Sequence, residues 1–331
     1  MWTSKRRRQS GSALLAVLWL SAALAAIGFA LSSTVRGETD RTSTAIDSLR
    51  CYYLAHGGVE RAALELLWSQ DAPLERRPLP NPTFHVTYEF ATGEVRVDII
   101  PEAAKLDVNN TNAEDLVRLG MALGMEESQA RQIARAIVEW RQPIPLEAAA
   151  PGRADLPGAP SFRVPHTSIQ EIEELLAVKG VTPEVFYGTY IPAEAAAEGG
   201  GPRLARRSGL ADCLTVFDSG GGVDINTSDP AVLAAIGQTP VSIAAILQRR
   251  SQGPIKMEQL GPFLASIGAP PSRLRVGGNS IVTIRATARL RTAEGQLSDL
   301  KRTVAAQVKY MPPGYDSPLH ILRWYDTAWS D

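Results

Sequence analysis

Cysteine is nearly absent from this 331-residue chain: Cys51 and Cys213 are the only two. They lie far apart, and no C-x-x-C or Cys/His spacing surrounds either, so the sequence does not point to a thiolate zinc site. Two readings stay open for them, a mutual disulfide if the body lies outside the cytoplasm, or two isolated structural thiols. Histidine is as scarce, with His56, His85, His166 and His320 scattered singly along the chain. A basic excess is missing too. Four of the 34 Lys and Arg residues, Lys5 to Arg8, precede Gly11, and the rest face 35 acids, so the body is mildly acidic. A broad nucleic-acid surface would need the opposite balance. There is no G-x-S-x-G elbow, no P-loop and no H-E-x-x-H. Ser219-Gly220-Gly221-Gly222 reads as a flexible loop, and the many carboxylates are those of helix surfaces. The chain is therefore not expected to be an enzyme.

Charge is also absent from Ser12 to Ser33, 22 consecutive residues. As a helix this stretch is roughly 33 Å long, enough to cross the hydrocarbon core of a bilayer. The basic cluster Lys5-Arg6-Arg7-Arg8 keeps the N-terminus cytoplasmic by the positive-inside rule, which sends everything after about Arg36 across the membrane. Three fates compete for the stretch. A cleaved secretory signal has a passable site at Ala23-Leu24-Ala25, yet the apolar run continues past it to Leu31. A plain single-pass anchor fits the length. The third fate is removal of an eleven-residue leader after Gly11, with the apolar segment retained.

The residues that follow bear on the choice. No proline occurs from Arg36 to Trp68. Ile46, Leu49, Tyr53, Ala55, Val59, Ala62, Ala63, Leu66 and Leu67 recur at threes and fours, with charges between them, which is an amphipathic helix. One helix of about 55 residues is predicted to begin in the membrane and end against a folded body, with a bend at Gly57-Gly58. A cleaved signal would not lead into its domain in this way.

In the body, "TFHVTYEF" and "EVRVDII" alternate within Asn81 to Ile100 and predict a hairpin about Ala91-Thr92-Gly93. A second hairpin is predicted from Ile281 to Leu290 and Leu300 to Tyr310, turning at Glu294-Gly295. About 170 residues between the two hairpins read as helical. The fold class expected is α+β, with a long N-terminal helix and an antiparallel sheet interrupted by a large all-α insertion. The tail after Met311, rich in aromatics, finds no place in this scheme.

The insertion contains a repeat. Asp107 to Gly120, "DVNNTNAEDLVRLG", aligns without gaps to Asp224 to Gly237, "DINTSDPAVLAAIG". In each copy an asparagine, Asn109 or Asn226, is placed to close a turn. Asn112 or Asp229 is placed to cap a helix, which Gly120 or Gly237 ends. Second helices are predicted at Glu127 to Arg141 and Val241 to Arg250. A third pair is read in "SIQEIEELLAVKGVTPEVFYGTY", with Ser168 and Glu171 as a capping box. The pairs resemble the helix-hairpin-helix module that grips a DNA backbone, and SAM-like folds. However, the turns at Gly124, Gly180 and Gly237 lack a second glycine, and Glu126-Glu127 sits where a phosphate would. Arg249 and Arg250 read as a solvated helix end.

The basic leader ending in glycine, the retained apolar segment and the continuous helix resemble a type IV pilin or pseudopilin precursor. That resemblance implies cleavage between Gly11 and Ser12 by a prepilin peptidase and methylation of Ser12. Position +5 of the processed chain is Ala16, where most of that family has glutamate. Its absence is a habit of one branch, the minor pseudopilin K family of type II secretion. Lys105-Leu106-Asp107-Val108-Asn109, Asp224-Ile225-Asn226-Thr227-Ser228 and the last hairpin resemble the same branch. Membership would imply a structural subunit at the pseudopilus tip, held in the inner membrane with its bulk periplasmic. It would imply pseudopilins of the I and J types as partners and no nucleic acid. It would also bring calcium as a cofactor, for which Asp212, Asp218 and Asp224 around the glycine-rich loop are the candidates. The domains are then a leader (1–11), a membrane or filament-core helix (12–35), a first pilin-like part (36–105), the inserted α domain (106–275) and the closing strands and tail (276–331). The competing reading is a membrane-anchored DNA-binding protein of a competence-type uptake system, motivated by the helix-hairpin-helix-like repeats.

Overall fold

The computed structural model describes residues 10–71, 85–143, 165–192, 204–217, 222–270, 273–278, 280–311 and 314–328. Its first element, α1 (Ser10–Asp71), is a single helix of 62 residues, roughly 93 Å at 1.5 Å per residue. Through its first half every described side chain is exposed, and burial begins only near Cys51. From there one face of α1 is built of small residues, with Cys51, Ala55, Val59 and Ala62 all buried, so the helix lies close on what it covers.

What it covers is a five-stranded antiparallel sheet in the order β1-β2-β9-β10-β11. Strands β1 (His85–Phe90) and β2 (Gly93–Pro101) form the first expected hairpin, closing through Ala91-Thr92. Strands β9 (Ile281–Arg291) and β10 (Leu297–Tyr310) form the second, with an irregularity between Leu297 and Lys301. Period-2 alternation is what sets the inner face: Val95, Val97, Ile284, Ala286, Ala288, Val304, Ala306 and Val308 all turn toward α1 and are buried. The tail, unplaced by the sequence, supplies the fifth strand, β11 (Leu319–Tyr325), antiparallel to β10.

Helix α1 runs unbroken through Gly57-Gly58. A β-carbon on Gly58 would stand 2.5 Å from Val95 Cγ1. The glycine lets helix and sheet approach.

The chain leaves the sheet after Pro101 and returns at Ile281, and β2 and β9 are neighbours (Pro101 opposite Val282). Between these points lie β3 (Leu106–Asp107), α2 (Ala113–Ala122), α3 (Glu127–Arg141), α4 (Pro183–Tyr187), β4 (Thr189–Pro192), β5 (Leu204–Arg207), α5 (Leu210–Cys213), β6 (Leu214–Thr215), β7 (Val223–Asp224), α6 (Pro230–Ala235), α7 (Pro240–Ser251), α8 (Met257–Ser266) and β8 (Leu274–Arg275). The insertion is thus mainly helical but not all-α. Strands β3 and β6 pair in parallel, as do β7 and β8, while β4 and β5 form an antiparallel ribbon. The parallel pairs have a cause: the dipeptides that open each repeat are buried, and a buried backbone must find partners.

Two further expectations are corrected. Gly120 does not end α2, which continues to Ala122 and turns at Gly124; Gly120 instead admits α3, since a β-carbon there would lie 2.8 Å from that of Ala130. Of the third helix pair, the first member is a 3-10 helix, Ile172–Ala177, whose N-cap is Glu171, paired with Glu174, rather than Ser168. The Glu174 carboxylate accepts the Gln170 and Glu171 N–H groups at 2.9 Å each.

Candidate functional site

The apolar half of α1 is the first candidate. Gly11 and Ser12, the expected cleavage pair, lie inside the helix, and Ala16 is exposed on it. Leu14, Val17, Trp19, Ile27 and Phe29 are each more than 60% exposed. No ionisable group interrupts Ser12 to Val35. Hydroxyls within the segment turn inward: Ser21 Oγ donates to the Val17 carbonyl at 2.6 Å, Ser33 Oγ to Ala30 at 2.8 Å and Thr34 Oγ1 to Ala30 at 3.0 Å. Ser21, Ser33 and Thr34 are thus satisfied by the helix's own carbonyls, as a polar side chain in hydrocarbon must be. It is long and apolar enough to cross a membrane, and its most apolar part has no cover from the rest of the described chain.

The duplicated turn is the second candidate, and both copies are built alike. Asn109 accepts the Ile169 N–H at 2.8 Å and donates to the Ile169 carbonyl at 2.9 Å. Asn226 does the same with Ile255, at 2.8 and 3.0 Å. Each side-chain amide thus imitates one rung of a strand ladder. The aspartate of each repeat closes its turn. Asp107 accepts the Asn109 N–H, and Asp224 accepts the Gly277 N–H at 2.9 Å and the Thr227 hydroxyl. Burial raises the Asp224 pKa above its ordinary value. An arginine from each second helix then covers the turn carbonyls. Arg141 donates to Val108 and Thr111, and Arg250 to Ile225 at 2.6 Å and Ser228 at 2.8 Å. Arg250 is therefore no solvated helix end; burial lowers its pKa to about 10, and burial lowers that of Arg141 as well. Asn112 caps α2 through the Asp115 N–H, and Asp229 caps α6 through the Ala231 N–H, as expected.

A charge network that sequence spacing did not reveal joins the two repeats. The Asp115 carboxylate is fully buried and meets both Arg118 and Arg273. Arg118 Nε also donates to the Ala235 carbonyl at 2.9 Å, binding α2 to α6. An aspartate in the first turn of a helix, three residues before an arginine, was the available signal.

Of the calcium candidates, Asp212 and Asp224 are each engaged by neighbouring protein groups. Asp212 accepts from Arg206 at 2.8 Å and from the Gly209 N–H at 2.9 Å. Asp224 is committed to its turn, and Asp218 lies outside the described residues. Among the described residues, no cluster of three or more His, Cys, Asp or Glu side chains could hold a metal ion. Cys51 and Cys213 are both free and buried, in different parts of the fold, and burial raises both thiol pKa values.

Gly124, Gly180 and Gly237 all adopt positive φ at the three helix-pair turns. At the latter two, the next helix is capped by a threonine hydroxyl, Thr182 or Thr239, so these N-termini spend a backbone donor on their own chain.

Residues 98–188 match the family model for type II secretion system (T2SS), protein K. That segment runs from β2 through the first repeat to the end of α4. The chain is also similar to a chain in the crystal structure of the GspK-GspI-GspJ complex from the enterotoxigenic Escherichia coli type 2 secretion system. The two are 16% identical, the alignment covers 89% of this chain and 99% of that one, and the TM-score is 0.49. No curated protein matches it in sequence.

Proposed function

Proceeding from a chain that carries a segment matching protein K of type II secretion, we propose that it is a minor pseudopilin with a structural, non-enzymatic role at the pseudopilus tip, serving protein export across the outer membrane. The observation that supports this most directly is α1. Its apolar half carries no ionisable side chain, and its other half is welded by Cys51, Ala55, Val59 and Ala62 to the sheet. A segment fused to the body in this way is kept rather than discarded. Before processing it holds the chain in the inner membrane, N-terminus cytoplasmic and bulk periplasmic. After a prepilin peptidase cuts between Gly11 and Ser12 and Ser12 is methylated, it joins an apolar helical bundle.

Ala16 fits a subunit with nothing docked ahead of it. A carboxylate at that depth with no amino group to meet would be costly to bury. The inserted α domain makes the head wide, which suits an end of a filament better than its shaft. The partners are the I and J minor pseudopilins, and nucleic acid is not among them.

The test is the N-terminal residue of the protein purified from cells with an intact secretion system, read by mass spectrometry. Methylated Ser12 is the expected result. Met1, or a residue near Ala26, would overturn the processing route and with it the filament.

A further inference from the structure

The inserted domain and the sheet are joined covalently at two points that are neighbours. Pro101 ends β2 and Ile281 begins β9, and these strands are paired. Their junction is tied by Glu102, fully buried, which accepts from Thr283 Oγ1 at 2.6 Å and pairs with Lys105 at 3.3 Å. Two adjacent crossings define a line, and a body attached along a line is free to turn about it. An open cleft of about 520 Å³ lies beside this line. Ile172, Phe186 and Arg206 wall it on the domain side, and Arg285, Gln307 and Tyr325 on the sheet side.

A second opening of about 230 Å³ adjoins it, lined by Glu171, Ile172, Arg323 and Tyr325, and one side chain spans it away from the hinge. Arg323 of β11 stands opposite Gln307 of β10, two strands and so roughly 10 Å from β9. Its guanidinium meets Glu171 and, at 3.1 Å, Glu173, both in or beside the domain's 3-10 helix. The next residue along β11 faces the other way. The Trp324 ring packs on His56 of α1 at 4.4 Å, and its Nε1 donates to Asp326, which also accepts from Tyr52 Oη at 2.8 Å. Beyond the strand, the Ala328 N–H donates to the Thr303 carbonyl at 3.0 Å. The tail therefore touches all three bodies: α1, the sheet and the inserted domain.

We infer that β11 is a strap, and that the Arg323–Glu171–Glu173 cluster is an ionic latch that fixes the angle of the inserted domain about the β2–β9 hinge. The three side chains are partly exposed, so the latch is weak: breaking it shifts a population between closed and open cleft rather than unfolding the chain. The expected gain in the open form is roughly two- to five-fold for each pair lost, the range of exposed ion pairs. High salt acts in the same direction.

The experiment uses the full chain in detergent with spin labels at Met257→Cys on α8 and Asp299→Cys on the sheet, both exposed. The unaltered latch should give a narrow distance distribution that broadens with salt. Arg323→Glu should broaden it at low salt. Restoring opposite charge with Arg323→Glu, Glu171→Arg and Glu173→Arg together should narrow it again. Arg323→Gln, which removes the charge without repulsion, serves if the reversal misfolds. A distribution unchanged by Arg323→Glu or Arg323→Gln, or one left broad by the restored pair, would overturn the latch. This test is indifferent to how the N-terminus is processed, so its failure and that of the pseudopilin reading are separable.

Discussion

Gly57 and Gly58 are adjacent on one helix and have opposite consequences. A β-carbon on Gly57 would meet nothing within 4 Å, whereas one on Gly58 would stand 2.5 Å from Val95 Cγ1 and 3.3 Å from the Val95 β-carbon. Mid-helix glycine costs roughly 1 kcal/mol relative to alanine. Gly57→Ala should therefore stabilise the chain by about that amount. Gly58→Ala gains the same propensity but must push helix and sheet apart, at a cost of about 1–3 kcal/mol for an overpacked core. Denaturant melts of the two variants, side by side, should move in opposite directions. If both stabilise, α1 and β2 can separate at little cost and the close approach is not what holds them. The same pair marks a limit of reading residues in order: spacing shows two glycines in a helix, and only the register of Val95 beneath the second tells which one is needed.

At the scale of elements, the duplicated turn is an exchange of a side chain for a missing strand. Asn226 is 6% exposed and supplies Ile255 with both of its backbone partners. Asn226→Ala should strand a buried N–H and a buried carbonyl, costing about 2–6 kcal/mol at 1–3 kcal/mol per unsatisfied group. Asn109 makes the same two bonds from a half-buried position, where water can replace them in part, so Asn109→Ala should cost less. Urea midpoints of the two variants test the ranking; equal losses would mean that burial does not set the cost. The repeat marks these asparagines as turn closers, yet Asp107 and Asp224 close the turns, and the asparagine side chains hold distant backbone instead. Those partners were not legible. Ile169 and Ile255 are 60 and 29 residues away, and nothing local records such a distance. The hairpins were legible for the converse reason, since alternation within one strand names its buried face without reference to any other. Strand β11 escaped because its pairing with β10 shifts register between Gln307 and Val308. The bulge places an extra residue in "LHILRWY", so the period-2 pattern that announces a strand is broken inside it.

For the molecule as a whole, the feature that governs unfolding is a pair of cores that share no residue among those described. One gathers Leu119, Ile137, Ile225, Leu233 and Ile246 in the inserted domain, and the other gathers Ala55, Val95, Ile284, Ala286 and Val304 between α1 and the sheet. The two bodies meet along the β2–β9 junction and across a cleft rather than through a shared apolar interface, so neither core requires the other to exclude water. Multidomain chains of this kind need not unfold in one step. Calorimetry of the full chain in detergent should resolve two transitions. Ile246 and Ile284 are each fully buried, and truncating either to alanine should cost its own core about 2–5 kcal/mol. Ile246→Ala should lower one transition and Ile284→Ala the other. A single transition, lowered alike by both variants, would mean that the insertion and its host fold as one unit, and that the hinge between them is too stiff to turn.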